Sequence, residues 1–552
     1  MPLFPREEQV VTFFIKSRRF RRVKSAKPIN TEREHSDDSG EGISYPFQDR
    51  RLSADLDTNL SHLKEIFQDC SDVVFREFIF AQMEQVKLAL IYTDGLTDKS
   101  QVSEQIMRAL ALEVPVAAPE TQITRANAIH FIKMRGLCTH QVGESEKVAD
   151  VVGAVLSGDT VLLVDGHATA LINGNRGWER RSIQDSQTEI VVRGPRESFV
   201  ETMRVNTSLI RRKIKNPNLK IEMFKLGEVT GTDVALVYIK GIVSEGLVDE
   251  ARKRLSRIKI DGVLESGYIE ELIQDDPYTP FALLHHTDRP DRVAAYLLEG
   301  RVAILVDGTP VVLLAPTLFI ESIQTPEDYY EKSQFMTAIR MLRLLSLFLS
   351  LTAPSFYVAI IAFHHEMLPT ALLLSIAAQR EAVPLPVFVE TLLMEIAFEL
   401  IRETGIRLPR PIGMAVSIVA ALIIGEAAVR AGMVAAATVI VVALAAIASF
   451  AVYYSGSVTI RLLRFFVLLL TSVMGLLGLM TGIILIVTHM ASLRSFGIPY
   501  LYPVAPLGSG DMKDVIARAP WWAMFTRPGL ISKKNRQRMA QGLKPEPPAD
   551  GR

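Results

Sequence analysis

The side chains best placed to do chemistry are carboxylates set among apolar residues late in the chain. Glu395, Glu399, Arg402 and Glu403 recur at i, i+4, i+7 and i+8, so they share one face of a helix whose other face carries Phe388, Leu392 and Leu393. Such carboxylates either pair internally, Glu399 with Arg402, or line a vestibule that concentrates cations. Further on, Val416, Val419, Ile423, Glu426 and Arg430 form a second helical stripe. Rings of branched aliphatic side chains exclude water when narrow, and a ring of carboxylates favours cations, so Val416, Val419, Ile423 and Glu426 are the candidate pore lining. The plainer reading of Glu426 and Arg430 is an i, i+4 pair at a membrane surface. Gly413, Ser417, Ala420, Ile424 and Ala427 make a small-residue face suited to close helix packing.

Nothing comparable supports catalysis. Neither GxxxxGK[ST] nor HExxH occurs, and His364, His365 and Glu366 lack ligand spacing. Asp165 and His167 have no third group at a telling distance, and the dipeptides Asp165-Gly166 and Asp307-Gly308 are turn chemistry first. Cys70 and Cys138 lie far apart, giving neither a disulfide framework nor a metal pair, which suits a reducing cytoplasmic setting. Lys plus Arg (61) equal Asp plus Glu (61), so no basic excess invites nucleic acid. No catalytic residue, cofactor or metal is expected.

The elements that must position these residues fall into two halves. Leu344 to Phe363, Ala431 to Ile460 and Phe465 to Leu493 carry no Asp, Glu, Lys or Arg, where the chain's 22% charge would place roughly 17. A membrane crossing takes about 20 apolar residues. The transmembrane domain is therefore placed at 336–493 with about four spans: Leu344 to Phe363, kinked at Pro354, a short one from Pro411 to Ala428, Ala431 to Tyr453, and Phe465 to Thr488. Met367 to Gln379 is short enough to re-enter, and 384–405 is expected as an interfacial helix. The tail, 494–552, has ten Lys or Arg against four Asp or Glu. By the positive-inside rule it is cytoplasmic, with Trp521 and Trp522 as interfacial anchors, although Arg461 and Arg464 then sit on the wrong side. The start of the chain lacks a secretory signal pattern, so the N-terminus is also expected in the cytoplasm.

The polar half repeats itself. Ala89 to Gly95 aligns with Ala235 to Gly241, and Leu156 to Gly166 with Leu298 to Gly308, four identities in seven and six in eleven, at offsets of 146 and 142. This predicts two tandem duplicated α/β subdomains, at 56–192 and 222–325, each opening on a buried strand and closing with an Asp-Gly hairpin. Residues 1–55 read as a disordered charged arm. The segment 193–221 reads as an amphipathic connecting helix whose polar face carries Arg204, Arg211, Arg212, Lys213 and Lys215, either solvated or in contact with another subunit or phospholipid. The fold class is thus α/β plus an all-α membrane domain.

Across about residues 60 to 530 the chain resembles the A-subunit family of bacterial spore germinant receptors, the GerA type. The landmarks are Asp165-Gly-His-Ala-Thr-Ala-Leu-Ile172, Arg193-Gly-Pro-Arg-Glu197, Asn206-Thr207, Lys215-Asn-Pro-Asn-Leu-Lys220, Pro384-Leu-Pro386, Met394-Glu395, Phe398-Glu399, Arg407-Leu-Pro409, Gly425-Glu-Ala-Ala-Val429 and Ser495-Phe-Gly-Ile-Pro-Tyr-Leu501. The resemblance implies a nutrient-sensor subunit in the spore inner membrane, partnered by a transporter-like B subunit and a lipoprotein C subunit, and forming a homo-oligomer around a cation-conducting pore. It supplies no catalytic motif. A paralogous branch associated with the spore dipicolinate channel shares the architecture and stays open as an alternative. A secondary transporter is disfavoured, because the repeat lies in the soluble half and not in the membrane half.

Overall fold

The computed structural model describes residues 47–80, 86–110, 125, 127–133, 142–178, 186, 189–408, 425–452 and 454–546. The first α/β unit starts with helix α1 (Leu56–Ile66), followed by β1 (Val73–Phe80), β2 (Val86–Thr93), β3 (Val142–Ser145), α2 (Val148–Ser157), β4 (Thr160–Val164) and β5 (Ala170–Asn173). The strands form one antiparallel sheet in the order β1-β2-β4-β5-β3. Side chains alternate across a strand, so Ala89, Ile91, Val161 and Leu163 pack under α1 and α2. Leu88, Leu90, Leu162 and Val164 face the other way, onto Val102 and Ile106 of a π-helical turn. Both faces of the central strands are covered, which is why they read as continuous apolar runs.

The second unit comprises α3 (Met203–Lys213), β6 (Leu219–Leu226), β7 (Thr232–Ile239), α4 (Glu245–Ser256), α5 (Ser266–Ile273), β8 (His285–Thr287), α6 (Pro290–Leu298), β9 (Val302–Val306) and β10 (Val312–Ala315). Its sheet order is β6-β7-β9-β10-β8, antiparallel throughout, so Leu162–Val164 and Ile304–Val306 occupy the same third position in their sheets. Side-chain and backbone bonds correspond as well. Asn59 closes a loop with both backbone groups of Ser53, and Asn206 does the same with Val200. Asp165 accepts from the first amide of α1, Leu56, at 3.5 Å, and Asp307 from the first amide of α3, Met203, at 2.9 Å. Asp307 therefore does more than turn a hairpin, supplying an acceptor and a negative charge to the first amide of α3, whereas α1 is capped chiefly by Asp55, which accepts from Thr58 at 3.0 Å, with Asp165 at the edge of hydrogen-bond reach.

That correspondence changes the meaning of the segment between the units. The helix within 193–221 is shorter than its periodicity suggests and stands where α1 stands in the first unit, so α3 opens the second unit. Its cations are largely neutralised. Arg211, fully buried, holds Asp72 through two bonds of 2.8 Å and donates to the carbonyls of Asn216 and Leu219. Arg212 and Lys213 pair with Glu197, and Arg204 with Asp94. The partners lie in the first unit or upstream of the helix, where helical spacing does not reveal them.

One group in the second unit should register in its pH response. Burial, reinforced by the neighbouring Glu265, pushes the Glu270 carboxyl up to about 7. The folded state then binds this proton more tightly than the unfolded chain does, so stability falls as pH rises from about 4.5 to about 7 and is flat above. Glu270→Gln should flatten that window and raise stability at pH 8 by on the order of 1–3 kcal/mol, read as a shift in thermal midpoint across a pH series.

The helical half begins directly after the second unit with α7 (Ser333–Phe363), then α8 (Thr370–Arg380), α9 (Val387–Arg407), α10 (Ala436–Ser449), α11 (Tyr454–Met474) and α12 (Leu476–Ser492). Two described helices, Ser333–Phe363 and Ser457–Met474, are long and apolar enough to cross a membrane. At 1.5 Å per residue α7 is about 46 Å long, more than the ~30 Å of hydrocarbon. Its first turns instead meet polar partners, Arg340 pairing with Asp328 and Asp514, and Arg343 with Asp328. The helix continues through Pro354.

The apolar run Phe465 to Thr488, expected as one span, is two helices. Gly475 turns between α11 and α12 at φ +59, and a Cβ there would come within 2.9 Å of Phe363 and His364. Thr459 near the start of α11 donates to the carbonyl of Pro280, and His489 near the end of α12 meets Thr279 at 2.9 Å. The starts of α7 and α11 and the end of α12 thus lie beside the second unit.

The tail is folded rather than merely basic. Residues 494–499 form a two-strand ladder, β11 (Arg494–Ser495) with β12 (Ile498–Pro499). Beyond it, Arg527 donates to the carbonyl of Leu298, Ser532 is buried against that of Ile242, and Asp514 returns to Arg340. Trp521 donates to the carbonyl of Tyr329 and stacks with arginines, and Trp521 and Trp522 are each 42% exposed.

Candidate functional site

The carboxylates on α9 are where charge meets the helical bundle. Pro386 precedes the first turn of α9, where its missing amide costs nothing, and Glu390 lies in that turn, where the helix dipole favours an anion. Glu390 is buried, 2.8 Å from Arg380, and accepts from the amide of Ala435 at 2.5 Å. At the other end Arg402 donates to Ser449 at 2.9 Å and lies over the ring of Phe450. Ala435 precedes α10 and Ser449 ends it, so α9 and α10 run side by side in the same direction. Thr438 in the first turn of α10 donates to the hydroxyl of Tyr357, deep along α7. The helix expected at an interface is therefore packed along its length against α7, α10 and α11.

Between those ends stand the two expected vestibule residues. Glu395 and Arg464 of α11 are each only 1% exposed and approach to 2.6 Å. The contact is ionic and not aligned for hydrogen bonding: neither Glu395 oxygen has a hydrogen-bond donor among the described residues. Glu399, one turn on, serves three guanidinium groups, Arg402 at 3.4 Å and Arg461 and Arg464 at 3.2 Å. Sequence reasoning found the Glu399–Arg402 pair but missed the two cations of α11. Their spacing was a usable signal, since Arg461 and Arg464 at i, i+3 match Glu395 and Glu399 at i, i+4 on a facing helix.

The other expected residues divide. Val416, Val419, Ile423, Gly413, Ser417 and Ala420 lie outside the described residues. Glu426 is described, exposed and 2.5 Å from Arg430, an i, i+4 pair. Ala427 beside it is also exposed, whereas Ala428 and Val429 pack against Met394, Val434 and Val442. No group of three or more possible metal-binding side chains occurs among the described residues.

Two antiparallel α/β units are joined to an apolar helical bundle, with arginine–carboxylate clusters where its helices meet. The chain belongs to the family described as Bacillus/Clostridium GerA spore germination protein, which matches residues 61–530. It is 47% identical over 499 residues to spore germination protein KA of Bacillus subtilis (strain 168), covering 90% of each chain. The uncharacterized membrane protein YfkQ of the same organism is 43% identical over 91% of this chain and 96% of its own. A more distant relative there, stage V sporulation protein AF, is 29% identical over 82% of this chain and 90% of its own. The crystal structure of the N-terminal domain of the A subunit of the Bacillus megaterium spore germinant receptor GerK3 aligns with 49% of this chain and 97% of that one, at 36% identity and a TM-score of 0.39.

Proposed function

We propose that the chain is the A subunit of a nutrient-sensing spore germination receptor, acting in the spore inner membrane with a transporter-like B subunit and a lipoprotein C subunit, and assembling with further copies around a cation pathway. Family membership over most of the chain carries this reading. The alternative, a subunit of the dipicolinate-release apparatus, is less favoured, because identity to spore germination protein KA (47%) exceeds that to stage V sporulation protein AF (29%). The reading is tested by copurifying a tagged chain from spores. Recovery of B and C subunits supports it, and recovery of dipicolinate-channel components in their place defeats it.

Three structural parts go with this reading. The soluble units are two copies of one fold, supported by shared strand order and by the matched bonds of Asn59 with Asn206 and Asp165 with Asp307. The bundle crosses the membrane an even number of times, because α7 leaves from the second unit and the segment after α12 returns to it. Both termini are cytoplasmic, on the side of the basic tail.

The topology has a direct test. Ser532 is buried and unsuitable for labelling, so Gln541, exposed on the tail, is the better site. Gln541→Cys should react with an impermeant maleimide only after the membrane is opened. Reaction from outside intact cells would overturn the cytoplasmic placement of the tail.

A further inference from the structure

A cavity of about 430 Å³ lies beside α6, between the segment 318–330 and the folded tail. Its size is that of a small-molecule site, and its walls are mainly apolar, with the rings of Tyr296, Tyr329, Tyr330, Tyr502 and Trp521 among them. Five carboxylates and four cations also line it, and most are spent. Asp291 holds Arg289 and accepts from Tyr330, Asp514 holds Arg340 and accepts from Tyr329, and Asp511 accepts from Tyr502 and the amide of Gly529. Lys213 pairs with Glu197, Arg292 with Glu189, and Arg301 with Glu321. Glu299 and Arg538 differ. They stand 3.7 Å apart, and Glu299 is 3.6 Å from Arg301, all beyond the 2.7–2.9 Å of a charge-assisted bond. Neither side chain makes a hydrogen bond among the described residues, yet 22% of Glu299 and 18% of Arg538 stays exposed. Enclosure pushes the Glu299 carboxyl up against the pull of both arginines, the mark of a carboxylate short of donors.

An open acceptor beside an open donor calls for a ligand with a donor beside an acceptor. A singly charged ligand would satisfy one of the two groups and be repelled by the other. We propose that this cavity binds a small uncharged molecule carrying a hydrogen-bond donor and acceptor side by side on an apolar or aromatic body, an amide being the simplest, with its N–H on Glu299, its carbonyl on Arg538 and its body among the aromatic rings. Asp514, on the cavity wall, also holds Arg340, so the occupant lies one contact from the start of α7. The site depends neither on ion conduction nor on the partners proposed above.

The experiment is a saturation-transfer NMR titration of the full chain in phosphatidylcholine nanodiscs, with empty nanodiscs as the reference, using benzamide, benzoate and benzylamine as probes of similar shape and different charge. Benzamide should saturate one site and bind about tenfold more tightly than either ion, the difference one charged hydrogen bond makes. Two variants test the assignment. Glu299→Gln should strengthen benzoate binding several-fold and weaken benzylamine, because the repelling carboxylate is gone and the guanidinium remains. Arg538→Gln should do the reverse. Misfolding would weaken all three probes and cannot mimic either gain. Absence of saturable benzamide binding to the unaltered chain, or the same order of the three probes in both variants, overturns the proposal.

Discussion

Replacing Arg464 by leucine should lower the stability of the helical bundle by about 3–5 kcal/mol, because it leaves Glu395 buried with no opposing charge. The cost arises from the carboxylate left behind and not from the lost pair itself, whose attraction is largely offset by the desolvation of both ions. The double variant Glu395→Leu with Arg464→Leu should therefore recover most of the loss. The temperature at which detergent-solubilised chain ceases to elute as a single species reads both. A double variant as unstable as the single one would mean that the packing of the arginine stem, and not charge, holds α9 to α11. Arg464 also reaches Glu399, so the single change should weaken two contacts at once, while Glu399 keeps Arg402 and Arg461.

The physical reason this pair escaped the sequence reading separates what is legible from what is not. Local signals read well. The Ala-Leu-x-Tyr and Leu-Val-Asp-Gly repeats correspond to β2 with β7 and β4 with β9, because strands buried on both faces must be continuous apolar runs ending at a turn residue. Helical spacing likewise puts Glu395, Glu399 and Arg402 on one face of α9. Long-range pairing is silent: Arg211 meets Asp72 and Arg340 meets Asp514 across distances that no period encodes, and the match of Arg461 and Arg464 to Glu395 and Glu399 has meaning only once α9 and α11 are known to face each other. The charges of 193–221 and of the tail looked unneutralised for that reason alone. Gly475 is a third kind of miss. Inside an uncharged run a single glycine neither lowers hydropathy nor announces a turn, so two helices read as one span. Its role becomes visible only against Phe363 and His364, where any side chain would clash.

The same reasoning about faces gives the other large effect, at the stripe leading to Glu426. In the last turns of that helix Ala428 and Val429 pack inward on Met394 and Val442, while Glu426 and Arg430 are exposed. In the sequence Ile423, Val419 and Val416 precede Glu426 at helical spacing, the stripe expected to line a shared pathway in an oligomer. A constriction of branched aliphatic side chains holds out water until the helices separate, and carboxylates one turn away select for cations. Val419→Asn should then hydrate the closed gate and make proteoliposomes or spores leak cations without nutrient, while Val419→Phe should block release. Ala420→Asn, one residue round the helix toward its small-residue face, should instead disturb packing and reduce assembly. Flux and oligomer size measured on the same preparations separate these outcomes. If Val419→Asn remains tightly gated while Ala420→Asn assembles normally and loses flux, the pathway lies along the small-residue face, and the aliphatic stripe faces lipid or a neighbouring helix.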